Sequence, residues 1–294
     1  MRANLLQASL GFALTGWSAV HAGCDQPLHV PVAHAGVAVT VQGHQVSGVF
    51  PTVLKLAATQ VGCAIDFPIV PRARVARMFL AEAAADVLAP ATRTTERDGK
   101  GQFVPVVRSL TMLVSLRQRN IDLPSVDALL KDRGKVVVLR GYSWGDEYET
   151  LITQLEAQGR VQYVADTERI IERLRNGLAD YSLIPPSLFL SILQEGQGKR
   201  EWSLEDFEQN PLLGLPQAQI GVYLSRERLP RDMREALAAA ITLSVQDGTV
   251  LSLYQAAVPI QWMRDYIRID GPGLPLSERR GKNKKAPLRT AEGL

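Results

Sequence analysis

The stretch "KVVVLRGYSWGDEYETL", residues 135–151, decides between two α/β folds. An apolar, β-branched run from Val136 to Leu139 leads through Gly141-Tyr142-Ser143-Trp144-Gly145 into a helix-like pattern that starts at Asp146. G-x-S-x-G between a strand and a helix spells a hydrolase nucleophile elbow. That elbow needs an acid and then a histidine later in the chain. All four histidines, His21, His29, His34 and His44, precede Ser143. The usual order is excluded, which leaves only a folded rearrangement with His29, His34 or His44 as base.

After Gly145 the pattern continues as helix Asp146–Ala157, strand Val161–Val164, helix Thr167–Arg175 and strand Asp180–Ile184. Upstream the same alternation is present: strand Leu28–Ala33, helix Val49–Val61, strand Ala64–Ile69, helix Arg72–Ala84 and strand Asp86–Ala89. Each half reads as a βαβαβ unit with a parallel sheet. The extended apolar segments Leu110–Leu116 and Gln219–Leu224 flank the second half and are placed to cross between lobes. Helices at Arg231–Val245 and Thr249–Gln255 then return to the first lobe. The expected architecture is α/β, with a discontinuous lobe one (23–110 and 219–270), an inserted lobe two (111–218) and a cleft between them.

The ends are of a different kind. Arg2, the apolar segment Leu5–Val20 and the small-residue end at Ala22 form a secretory signal pattern, with cleavage expected after Ala22. A membrane anchor and a lipid-modified Cys24 are the other readings of this segment. Residues 271–294 are expected to be a disordered basic tail, six basic side chains against two acidic ones over 277–294. Taking that +4 and Arg2 away from the net +3 leaves the folded body near −2, with no basic face to suggest a nucleic acid partner. Export suits the only two cysteines, Cys24 and Cys63, which are expected to pair as a disulfide; two buried free thiols are the alternative. The pattern calls for no cofactor, and the scattered histidines offer no metal-ligand spacing.

The layout, together with "ADVLAPATRTTERDGKGQF" (residues 85–103) and the Gly-hydroxyl turn Gly141-Tyr142-Ser143, resembles the family-3 extracellular solute-binding proteins. This is the type II periplasmic-binding-protein fold of polar amino-acid ABC transporters. The resemblance implies that Thr92 and Arg97 bind a ligand carboxylate from lobe one. A guanidinium fork suits that role because it makes two charge-assisted hydrogen bonds in one plane. It also implies that Ser143 holds the ligand from lobe two at a helix N-terminus, where free amides and the helix dipole favour an anion. Tyr142 and Trp144 are candidate rings for the cleft, and Phe50 is a candidate wall. Arg72, after a Pro-bounded strand end, is a candidate second cation.

There is one departure from the family. Amino-acid binders continue the strand matching "GLADYSLIP" to an Asp that pairs with the ligand ammonium; five residues past Asp180 this chain has Pro185. Asp180 and Asp86 are expected to support their strands. The function expected is therefore a periplasmic, non-enzymatic, monomeric binder of a small organic anion, working with an ABC permease or a membrane sensor. A partner-binding protein with a vestigial cleft is the alternative, and a serine hydrolase using GYSWG is the remote one.

Overall fold

The computed structural model of the protein describes residues 24–196, 203–258 and 267–270. The expected signal segment (1–22) and basic tail (271–294) lie outside the described residues.

The chain begins with β1 (Leu28–His29), the hairpin β2 (Thr40–Gln42) and β3 (Gln45–Ser47), α1 (Val49–Gln60), β4 (Ile65–Asp66), α2 (Arg72–Leu80) and β5 (Val87–Thr92). Next come the short helix α3 (Thr95–Lys100) and the long strand β6 (Gly101–Ser109). Helix α1 buries Val49, Phe50, Val53, Leu54, Ala57 and Ala58, the three-to-four spacing that puts one apolar stripe on a core. On β5 the pleat puts Val87 and Ala89 in the core under α1 and Leu88 in the one under α2; past the irregularity in its pairing with β12, Ala91 joins Leu88.

The second lobe follows with β7 (Met112–Leu116), α4 (Val126–Lys131), β8 (Val136–Leu139), α5 (Asp146–Ala157), β9 (Val161–Val164), α6 (Glu168–Arg175), β10 (Tyr181–Ile184), α7 (Pro186–Gly196) and β11 (Phe207–Pro211). Its sheet has the order β11-β7-β10-β8-β9. Strands β10, β8 and β9 are parallel; β7 runs antiparallel beside β10, and β11, antiparallel to β7, closes that side. The unbroken apolar run of β8 follows from burial on both faces: Val137 and Leu139 join one core, Val136 and Val138 the other.

The chain returns through β12 (Ala218–Ser225), α8 (Arg231–Gln246), α9 (Thr249–Ala257) and β13 (Ile267–Ile269). Strands β12 and β13 pair with β6, and β12 also pairs with β5, in a four-stranded antiparallel sheet. Helices α8 and α9 pack on α1. Two expectations change here. The first lobe is not a single parallel sheet: among its described strands only β1 and β4 pair in parallel, because β5 takes as its partner the distant, antiparallel β12, with β6 and β13 beyond it. Gln219–Leu224 is not a crossing segment either, since it lies wholly within β12; the chain changes sheets between Ser109 and Met112 and between Pro211 and Ala218.

The disulfide expected between Cys24 and Cys63 is present and ties the start of the described chain to the end of α1. Among the described residues, no single helix is long and apolar enough to cross a membrane.

Candidate functional site

The turn between β8 and α5 meets the first lobe with three consecutive residues, Gly141, Tyr142 and Ser143, and with Asp146 just beyond it. Gly141 has φ +79°, and a Cβ there would lie 2.7 Å from the Cα of Ala73, at the start of α2. Only a glycine accepts both that backbone conformation and that approach. Tyr142 donates its hydroxyl to the carbonyl of His34 at 2.8 Å. The Ser143 carbonyl accepts from Thr92 Oγ1 at 2.8 Å, and the Asp146 carboxylate accepts from both the amide (3.2 Å) and the hydroxyl (2.7 Å) of Thr95. Lobe two thus rests on the C-terminal end of β5 and the first turn of α3 through one short loop.

Two arginines of lobe one converge on that same strand end. Arg72 enters from the first position of α2, after the N-cap Pro71, and its Nη2 donates to the Pro90 carbonyl at 3.0 Å. Arg97 comes from α3, whose N-cap is the Thr94 side chain, and its Nη1 donates to the Thr92 carbonyl at 2.7 Å. Both Arg97 (5% exposed) and Thr92 (3% exposed) are buried. Burial, and secondly the charge of Arg72, push the Arg97 guanidinium down to about 10, so it is cationic at neutral pH. Burial also lowers Arg72, partly opposed by Tyr142, whose ring lies 4.9 Å beneath the guanidinium. Arg72 Nε is buried with no hydrogen-bond partner. Among the described residues neither arginine forms an ion pair. Exposed Glu149 and Glu96 act on Arg97 only through space.

A cleft of about 360 Å³ adjoins the seam, lined in part by Thr92, Thr95, Arg108, Trp144, Asp146 and Gln219. Trp144 stacks at 5.3 Å on Tyr142 and also packs into both cores of lobe two.

The structure therefore brings Thr92, Arg97, Arg72, Tyr142, Ser143 and Trp144 to one seam. Phe50 is different. It is 1% exposed in the core beneath α1, where its position in the apolar stripe of that helix points it, and it forms no cleft wall. Ser143 reaches the seam by its carbonyl; its hydroxyl lies 3.5 Å from the Gly145 amide, and α5 is capped by the Gly145 backbone without a side-chain bond. Asp180 accepts from the Lys135 amide at 2.7 Å and pairs with Arg119, while Asp86 accepts from the His29 amide and from Arg228. Pro185 is buried at the end of β10. Sequence reading missed His34, Ala73 and Asp146 as seam groups. The φ-permissive glycines at 141 and 145 were the available signal, since a turn with two glycines often marks close approach. No group of three or more His, Cys, Asp or Glu side chains could hold a metal ion among the described residues.

A five-stranded sheet inserted in the chain that builds the four-stranded one, with a cleft adjoining the seam between the lobes, defines the two-lobed type II periplasmic-binding-protein fold. Comparison with solved structures gives the particular neighbours. The chain resembles the amino acid ABC transporter substrate-binding protein AbpA from Streptococcus pneumoniae Canada MDR_19A, bound to L-arginine, at 17% identity and TM-score 0.63 over 79% of this chain and 94% of that one. It resembles EhuB in complex with hydroxyectoine at 15% identity and TM-score 0.65, over 81% of this chain and 91% of that one. It also resembles a histidine kinase sensor domain with similarity to periplasmic binding proteins, at 13% identity and TM-score 0.63, over 79% and 97%. These neighbours are binding proteins and a sensor domain. No protein-family model matches the chain, and no curated protein matches it in sequence.

Proposed function

We propose that this is an exported solute-binding protein without enzymatic activity, a divergent relative of the family-3 binders, whose lobes close over a small organic anion. One observation carries the reading: two guanidiniums, Arg72 and Arg97, are held at the lobe seam with no acidic partner among the described residues. A buried cation without a counter-charge is strongly unfavourable, and an anionic ligand supplies the missing charge. Thr92 and Arg97 act from lobe one and the Tyr142-Ser143-Trp144 turn from lobe two, with the hinge at the two sheet-changing segments. The protein delivers the ligand to an ABC permease or presents its closed shape to a membrane sensor; the neighbours include both an ABC transporter protein and a kinase sensor domain. The disulfide and the periplasmic-type neighbours support export.

The test is a thermal-shift screen of the mature chain against amino acids, dicarboxylates, keto acids and small phosphorylated compounds, with Arg97→Ala alongside. A ligand at a hundred times its Kd stabilises the fold by about 2.7 kcal/mol. The expected result is a shift with anions that vanishes in Arg97→Ala. A second reading, a partner-binding protein with a vestigial cleft, is favoured by the commitment of the Thr92 hydroxyl to the Ser143 carbonyl. A cooperative melt that no compound moves sinks ligand binding and selects that second reading.

A further inference from the structure

The two arginines at the end of β5 differ from their neighbours in how their charge is met. Arg74 and Arg77 share the carboxylate of Glu82, and Arg93 pairs with Asp98. Arg72 and Arg97 instead donate to main-chain carbonyls two residues apart, Pro90 and Thr92, so both guanidiniums lie along the same edge of the strand. Arg72 keeps a buried Nε with no acceptor. The face of the Tyr142 ring meets part of its charge but offers no hydrogen-bond acceptor. One carboxylate neutralises one guanidinium, and the second like charge would then stay unmatched in a desolvated place.

The carboxylates nearest the two arginines stay at a distance: Glu96 and Glu149 act on Arg97 only through space, and Glu147 lines the cleft. Asp98 is bonded to Tyr223 and Arg93, and Asp146 to Thr95.

Resting on the anion-binding reading above, we propose that the ligand is a dianion, a dicarboxylate or a phosphate monoester, with one charge on Arg97 and the second on Arg72. Arg72 is then the residue that selects charge, and Arg97 the one that secures binding. Dicarboxylates and phosphates share the chemistry that two guanidinium forks recognise, paired oxygens bearing two charges within reach of both.

The experiment is isothermal titration calorimetry of the full mature chain with succinate, glutarate and inorganic phosphate as dianions, and propionate and monomethyl succinate as monoanions. Succinate is expected to bind at least about tenfold more tightly than its monomethyl ester, the factor set by one charge-assisted hydrogen-bonding group. Phosphate and the dicarboxylates compete for one site, and their order says which source of two charges fits. Arg72→Gln is expected to bring succinate down to the affinity of its monoester, and Arg72→Lys to keep part of the preference, which guards against a simple folding defect. Arg97→Gln weakens every probe. Equal binding of succinate and its monoester, or an Arg72→Gln loss shared equally by all probes, overturns the proposal and leaves anion binding standing. Heat from none of the probes defeats the anion-binding reading itself and this inference with it.

Discussion

Gly141→Ala tests whether the seam is the binding-competent arrangement of the lobes. At φ +79° an alanine takes on backbone strain of about 1–2 kcal/mol. Its Cβ would also lie 2.7 Å from Ala73 Cα and 2.8 Å from Ala73 N, both backbone atoms that no rotamer can move aside. The lobes must separate to relieve the contact. Separation stretches the Thr92–Ser143, Tyr142–His34 and Thr95–Asp146 bonds, which together stabilise closure by on the order of 3 kcal/mol at about 1 kcal/mol each. Apparent affinity falls with the closed fraction, so a loss of that size weakens anion binding roughly a hundredfold. Gly145→Ala is the control: its φ of +115° is also a glycine conformation, but the added Cβ has no neighbour nearer than a Glu147 carboxylate oxygen at 3.7 Å. Both variants should lose similar stability in lobe two, whereas only Gly141→Ala should lose affinity and expand in small-angle scattering. Gly141→Ala binding within about threefold of the parent protein, or Gly145→Ala failing as badly, would refute the argument.

Three further substitutions probe single contacts. Thr92→Val keeps the shape and removes the donor to the Ser143 carbonyl, so anion affinity should fall by about fivefold, near 1 kcal/mol, in calorimetry; an unchanged value would mean that this bond does not hold closure. Asp146→Asn should change affinity by less than about 1 kcal/mol, because the contact with Thr95 is exposed and water competes for it; a larger drop at low salt would assign Asp146 a greater share of the seam. Replacing Cys24 and Cys63 together by Ala should destabilise the first lobe by about 4 kcal/mol, from a sequence separation of 39, and lower the melting temperature in scanning calorimetry; equal melting of the two proteins would count against the cross-link as a stabiliser.

The elements legible in the sequence are those whose own periodicity defines them. Helix α5 and strand β9 have the boundaries read from the pattern, and α1, α8 and α9 differ by only a residue or two at their ends. The misses have local causes. The β2–β3 hairpin is short and largely exposed, so its strands carry little apolar alternation. Helix α7 begins at Pro186, the second of the prolines that break the apolar run there, because proline is well suited to the first turn of a helix. The antiparallel first-lobe sheet depends on pairing of β6 with β12 over more than a hundred residues, which no local window contains. At the site, Thr92 and Arg97 were readable as a pair five residues apart. The meeting of Arg72 with Tyr142 joins two lobes, and the approach of Gly141 to Ala73 is a property of their packing.

The seam and the arginine pair act on closure in opposite directions. When the lobes part, water solvates Arg72 and Arg97 and screens each from the other. When they close, the Tyr142 ring covers Arg72 beside the buried Arg97, so the hydrogen bonds of the seam, on the order of 3 kcal/mol, work against burial of two like charges. A ligand shifts this balance only by binding the closed form better than the open one, and a counter-charge to both guanidiniums does so because it removes the term that opposes closure. On this reading the charge of Arg72 is what makes closure depend on ligand. Arg72→Met keeps a long apolar chain against the Tyr142 ring and deletes the charge. Without ligand it should close more readily than the parent protein, seen as a smaller radius of gyration in scattering and a smaller further contraction when succinate is added. If Arg72→Met is instead as open as the parent protein and still contracts fully with succinate, the charge of Arg72 does not oppose closure, and the lobes are governed by the hinge and the seam alone.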